Sequence, residues 1–160
     1  MIDYVFDLDD CLIMHHNLPI QYNSIQKDSL LSSLFEQIQS PKYIYTNGTY
    51  KHADVILKQM ELDHLIIKIY SRDTLDAPKP YIQSGIDVHN DITNLFDDKL
   101  SHTIYFFDDQ YINLKTAKQL GWITFWIHPE YMKKNMFHFI DYSFPTLTDA
   151  LLFLRNNEIK

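Results

Sequence analysis

Apolar residues along this chain come in short runs, separated by stretches of helical period. Tyr4-Val5-Phe6 is a compact apolar run that stops at Asp7-Leu8-Asp9-Asp10, as a buried strand does when it emerges at a sheet edge. Residues 11–23 show no clear period, contain Pro19 and carry His15-His16, and read as a loop or short hairpin. Over residues 24–39, Ile25, Leu30, Leu31, Leu34, Phe35 and Ile38 share one helical stripe, with Asn23 or Ser24 placed to cap it and Pro41 to stop it. Residues 42–45 form a second short strand, ending at Thr46-Asn47-Gly48-Thr49. Ala53, Ile56, Leu57 and Met60 then recur as on a helix packed against a sheet, which predicts a helix over residues 50–62.

Residues 65–70 read as the third strand, and Pro78 and Pro80 fix the loop that follows on either side of Lys79. A helical region extends from there to about Leu100, with a possible break at Gly85. Residues 103–107 are β-branched and aromatic throughout, a fourth strand that runs into Asp108-Asp109. A helix over residues 110–120 closes at Gly121, residues 122–127 form the fifth strand, residues 130–138 are a short stretch, and Leu147, Ala150, Leu151 and Leu154 mark a last helix. Strands alternating with helices predict an α/β domain: a three-layer α/β/α Rossmann-like arrangement around a parallel sheet of about five strands. Residues 1–160 form one domain in this reading, without repeats or linkers.

The order of elements matters for chemistry because the polar clusters at Asp7, Thr46 and Asp108 all fall at strand carboxyl ends, with Lys79 on the loop after the third strand. Parallel sheets bind ligands along that edge. The carboxylates of Asp7 and Asp9 are close enough to repel unless a cation or a shared proton intervenes. Taken alone, the stretch is equally a turn in which Asp7 or Asp10 caps the exiting backbone.

Composition narrows the partners. With 14 basic and 21 acidic residues the net charge is −7, which disfavours an extended nucleic-acid backbone but leaves room for a small anion. The hydrophobic share of 46% suits a folded domain, and no run approaches the roughly 18 apolar residues that span a bilayer. The lone cysteine, Cys11, has no internal disulfide partner and no secretory leader is recognised, so a cytoplasmic location is expected.

Cleavage of a phosphate monoester needs a nucleophile, a proton donor for the leaving oxygen, cations for the phosphoryl charge and groups that orient it. Asp7 can attack phosphorus, and Asp9 can protonate the leaving group and then deprotonate water. Thr46 offers a hydroxyl and, with Asn47, backbone N–H groups to phosphoryl oxygens. Lys79 supplies a point charge beside both nucleophile and phosphoryl group. Asp108 and Asp109 add oxygen ligands of the kind Mg²⁺ takes, Asp109 acting directly, through water or by orienting another ligand.

FDLDDCL, YTNGT, Lys79 and FFDD resemble, in order and spacing, the four motifs of the haloacid dehalogenase superfamily. The resemblance implies Asp7 as nucleophile, Asp9 as acid/base, Thr46 and Lys79 as phosphate ligands, and Mg²⁺ held by Asp7, the Asp9 backbone carbonyl, Asp108 and Asp109. TNGTYKHADVILKQMEL, YSRDTLDAPKP and FFDDQYINLKTAKQLGW are similar to stretches of the fungal and plant pyrimidine 5′-nucleotidase branch, which implies a nucleoside monophosphate or another small phosphometabolite as substrate. That branch carries a helical cap between its first two motifs. Here about thirty residues separate Leu12 from Pro41, so the cap is expected to be missing or reduced to a flap at residues 12–24. An uncovered site would also admit a phosphoprotein or a nucleic-acid end, and loss of turnover would leave a metal- and phosphate-binding interaction module.

Asp9 separates this pattern from dehalogenases and P-type ATPases, which lack an acid there. Cys11 reads as a small buried side chain. His15 and His16 have no third ligand at metal spacing and read as solvated loop residues. Asn113 faces either the site or solvent from its helix, Tyr105 and Phe125 belong to the strand core, and Lys115, Lys118, Lys133 and Lys134 belong to solvated helix faces. Asp54 and Asp97-Asp98 fall on helices away from the strand ends.

Overall fold

The computed structural model describes residues 1–96 and 101–158; the expected extension of the third helix to Leu100 and the Asp97-Asp98 pair lie outside the described residues. Strands β1 (Ile2–Phe6), β2 (Lys42–Tyr45), β3 (Lys68–Tyr70), β4 (Thr103–Asp108), β5 (Ile123–Ile127) and β6 (Tyr142–Phe144) form one sheet in the order β3-β2-β1-β4-β5-β6. Each pairing is parallel. The sheet is therefore one strand wider than the pattern predicts. Three-residue β6 extends the edge beside β5, matching Phe125 with Tyr142 and Ile127 with Phe144.

Alternation along the strands sorts side chains into two cores. Tyr4, Phe6, Ile44, Phe107 and Phe125 pack beneath α1 (Ser29–Gln37), α2 (Tyr50–Gln59) and α5 (Leu147–Glu158). Val5, Tyr43, Tyr45, Phe106 and Trp126 pack beneath α3 (Ile82–Leu95) and α4 (Tyr111–Gln119). The result is the three-layer α/β/α arrangement, buried on both faces of the sheet as parallel strands require. Tyr105 is half-buried against the first core and Phe125 fully buried within it, as their strand positions imply.

Several boundaries move for identifiable reasons. Helix α1 starts at Ser29, where the Asp28 side chain accepts a hydrogen bond from the Leu31 N–H, 3.0 Å away. Ser24 instead closes a short 3-10 turn, Tyr22–Ser24, and Ile25 is extended, so neither Asn23 nor Ser24 is the cap. Leu30 points outward, 50% exposed, off the stripe to which its spacing assigned it. The third strand begins only at Lys68, because residues Asp63–Leu65 form a 3-10 turn. Helix α3 runs unbroken through Gly85, where a Cβ would come within 2.5 Å of Leu120 Cδ1: the glycine permits close approach of this helix to the end of α4. Residues Tyr131–Met136 are a 3-10 helix.

Among the described residues no helix is long and apolar enough to cross a membrane.

Candidate active site

The chain leaves β1 and turns sharply. The Asp7 N–H still bonds across to the Phe107 carbonyl at 2.8 Å, so Asp7 stands at the mouth of the crevice between β1 and β4. Beyond it the Leu8 carbonyl accepts from the N–H groups of Leu12 and Ile13, Asp10 adopts φ 57°, and Asp9 bridges to Ile13. This tight loop lifts Asp9 above the sheet edge while leaving Leu8, Cys11 and Leu12 buried. Cys11 is the small buried side chain expected; burial, reinforced by nearby Asp7, Asp108 and Asp109, pushes its thiol well above the ordinary range. On the adjacent strand Asp108 ends β4 fully buried, its Oδ1 accepting the Gln110 N–H at 2.7 Å.

Lys79 reaches this crevice from the loop before α3. Its Nζ lies 2.8 Å from Asp7 Oδ1 and 2.6 Å from Asp108 Oδ2, and stands 5.1 Å from the Tyr45 ring centroid and 5.5 Å from that of Phe106. Asn47 fixes the loop from β2: its side chain donates to the Lys79 carbonyl at 3.0 Å and accepts the Lys79 N–H at 2.8 Å. Thr46 is buried, with its Oγ1 accepting the Gly48 N–H at 3.0 Å. Its own N–H is bonded to the Tyr70 carbonyl, so the expectation that Thr46 and Asn47 both present N–H groups is corrected: sheet pairing consumes the first and leaves that of Asn47.

Oxygens of Asp7, Asp108 and Asp109 lie within 4.8 Å of one another. Lys79 pairs with two of the three, Asp7 and Asp108, and burial dominates the acidity of all three. Asp7 is pushed up to about 6, chiefly by burial, which Lys79 opposes. Asp108 is likewise raised to about 6 by burial against Lys79, with Asp7 adding repulsion. Asp109 also rises to about 6, through burial and then the Asp108 charge. Burial alone would lower Lys79, but Asp108 and Asp7 outweigh it and hold the ammonium above its ordinary range. A buried, all-oxygen donor set with surplus negative charge fits a hard divalent cation such as Mg²⁺.

Asn113, left open between site and solvent, is buried and donates to both Asp108 oxygens, at 3.2 and 3.0 Å. The Trp126 indole N–H donates to the Asp109 carbonyl at 2.9 Å, and the Gln110 side chain to Asp109 Oδ2 at 2.9 Å. Asp54 pairs with Lys58 on the surface of α2, and Lys118 with Asp141, both away from the crevice.

The reading of His15 as solvated is overturned. Its Nε2 is 2.5 Å from Asp9 Oδ1, and the side chain is only 13% exposed. His52, which the sequence did not single out, brings its own Nε2 to 2.8 Å from the same oxygen. The signal was available, since Thr49 caps α2 by accepting the His52 N–H, and a residue in the first turn of a helix that follows a strand-end motif overlooks the sheet edge. His16 is exposed, as expected.

No family model matches the chain, and no curated protein matches it. Solved structures do. An L-2-haloacid dehalogenase from Xanthobacter autotrophicus superposes with a TM-score of 0.62 at 15% identity, covering 85% of this chain and 64% of the dehalogenase. A HAD-superfamily hydrolase from Ehrlichia chaffeensis superposes at 0.64 with 12% identity over 96% of both chains. The chain has a HAD-like fold. A HAD-hydrolase from Bacillus subtilis bound to magnesium has the same core, with a TM-score of 0.62 at 18% identity over 79% of this chain and 54% of that one. This chain thus spans under two thirds of the length of the dehalogenase, whereas the Ehrlichia protein matches it end to end.

Proposed function

We propose that the protein is a Mg²⁺-dependent phosphomonoesterase that works through an aspartyl-phosphate intermediate on Asp7. The observation that carries this reading is the buried Lys79 ammonium held between Asp7 and Asp108 at 2.8 and 2.6 Å, on one sheet edge of a HAD-like fold. Nucleophile, cation and a further carboxylate are already oriented, which is most of what phosphoryl transfer asks of a protein. Asp7 attacks phosphorus, the bond to the leaving oxygen breaks, and Asp9 gives that oxygen its proton. Asp9 then takes a proton from the water that attacks the phosphoaspartate, and the Asp7–phosphorus bond breaks to release phosphate. Lys79, the Thr46 hydroxyl and the Asn47 N–H would hold the phosphoryl oxygens. Asp7, Asp108, Asp109 and the Asp9 carbonyl would hold Mg²⁺, which supplies charge neutralisation to the phosphoryl group.

As substrate we propose a nucleoside 5′-monophosphate or another small phosphometabolite. A cavity of about 680 Å³ lies beneath residues 12–24, lined by Cys11, Leu12, Met14, His15, Leu18, Ile20 and Ile25 among others; its lining includes none of Asp7, Asp9, Thr46, Lys79 and Asp108, so the substrate class rests on the sequence resemblance. Residues 12–24, which form most of one wall, act as the flap that stands in place of a cap. The protein would be cytoplasmic and would need no membrane or extended nucleic acid.

Hydrolysis of p-nitrophenyl phosphate that requires Mg²⁺ and stops with EDTA tests the chemistry. A panel of nucleotides, sugar phosphates and phosphopeptides tests the substrate. Preference for phosphopeptides would replace the small-molecule assignment with a phosphoprotein phosphatase. Absence of turnover while Mg²⁺ and phosphate still bind would make the chain an interaction module.

A further inference from the structure

We infer that Asp9, His15 and His52 form a second metal site, selective for a borderline transition ion such as Zn²⁺ and distinct from the all-oxygen centre at Asp7, Asp108 and Asp109. One ligand atom from each residue lies within 4.8 Å of the others. Two imidazole nitrogens and a carboxylate are the donor set that Zn²⁺ takes with an open fourth position, whereas Mg²⁺ prefers oxygen. Both rings meet the same carboxyl group: His15 Nε2 lies 2.5 Å from Asp9 Oδ1, and His52 Nε2 lies 2.8 Å from Oδ1 and 3.0 Å from Oδ2. Without metal, a hydrogen must lie between the carboxyl group and each ring nitrogen, and a bound cation would replace them.

Two further features point the same way. The other ring nitrogen of His52, Nδ1, is 2.8 Å from Tyr22 Oη. A partner there orients the ring and sets which nitrogen faces a metal, as in other histidine-ligated sites. Gly48 makes the space: a Cβ would lie 2.9 Å from His52 Cδ2 and 3.6 Å from Asp9 Oδ2, so the ring sits over Asp9 because position 48 has no side chain. Both histidines are 13% exposed and Asp9 33%, enclosed enough to fix the ligands and open enough for an ion to enter. His52 comes from α2, Asp9 from the turn after β1, and His15 and Tyr22 from the flap, so a bound ion would tie the flap to the sheet edge.

Zinc at Asp9 would also withhold the carboxyl group that proton transfer uses, making zinc an inhibitor of Mg²⁺-supported hydrolysis. That consequence rests on the proposed role of Asp9; the binding itself does not, and is measured separately. The full chain, stripped of metal and held in excess Mg²⁺, is titrated with Zn²⁺ alone against a chromophoric chelator, and with Co²⁺ followed by its visible absorption. One ion per chain is expected, with a tetrahedral Co²⁺ spectrum. Affinity should fall on the order of 100-fold in His52→Ala and in His15→Ala, and about 10-fold in Tyr22→Phe, which retains the ring. Asp108→Asn should still bind zinc. Circular dichroism of each variant shows whether it is folded, and Tyr22→Phe removes only one oxygen should the histidine variants fail. No retained zinc, affinity unchanged in the folded variants, or zinc lost in Asp108→Asn would overturn the site.

Discussion

Two acidic centres stand within a few residues of each other and are built on different terms. Asp7, Lys79 and Asp108 are 7%, 5% and 0% exposed, and the two aspartates sit at the ends of neighbouring strands of the sheet. Asp9, His15 and His52 are held by a turn, a loop and the first turn of a helix, and are partly open to solvent. The difference teaches where rigidity comes from. The first centre inherits its geometry from backbone pairing and would keep it without any ligand. The second depends on where residues 12–24 lie, so its geometry can follow its occupant.

The largest effect that separates the two should come from Asp7→Asn, which removes the nucleophile while preserving shape. Hydrolysis of p-nitrophenyl phosphate should fall on the order of 10³-fold or more with the melting curve intact, and retention of wild-type turnover would break the assignment. Lys79→Met comes next. It strips the buried carboxylates of their ammonium, and in EDTA should cost roughly 3 kcal/mol in urea unfolding, part of it recovered by Mg²⁺. An equal loss in His52→Ala would abolish the distinction drawn here.

The third effect is a dependence on pH. Asp7, Asp108 and Asp109 have folded values of about 6 against an ordinary 3.8, so between these limits the folded state binds more protons than the unfolded one. Their contribution to stability is therefore complete below about 4 and lost as pH rises through 6. Metal-free protein should show this decline in thermal melts between pH 4 and 6, Asp108→Asn should flatten it, and Mg²⁺ should stabilise more at pH 7 than at pH 5. The smallest effect is Gly48→Ala. It should displace His52 from Asp9 at a cost of about 1 kcal/mol and leave the Lys79 contacts unchanged, which a crystal structure of the variant would show.

Much of the first centre was legible because the sequence carries a period for every long element. Once strands are placed in parallel, their carboxyl ends must share an edge, and Asp7, Thr46 and Asp108 follow together. Lys79 was legible from the prolines that flank it. Tyr142-Ser143-Phe144 escaped because three residues paired on one side only need no apolar run. Ile25 misled because an apolar residue on a loop can match a helical period by chance, and the true cap, Asp28, lies inside the periodic stretch. The second centre was illegible for a deeper reason. Its residues are separated by 6 and 37 positions, and only the turn after β1 and the start of α2 bring them together.

Trp126 reaches from β5 to the peptide of Asp109, while Trp122 lies deeper in the same core, its indole N–H on His89 Nδ1. One fluorophore is thereby wired to the carboxylate pocket through the backbone of a candidate metal ligand. Emission from the unlabelled protein can therefore be followed as ions or phosphate arrive.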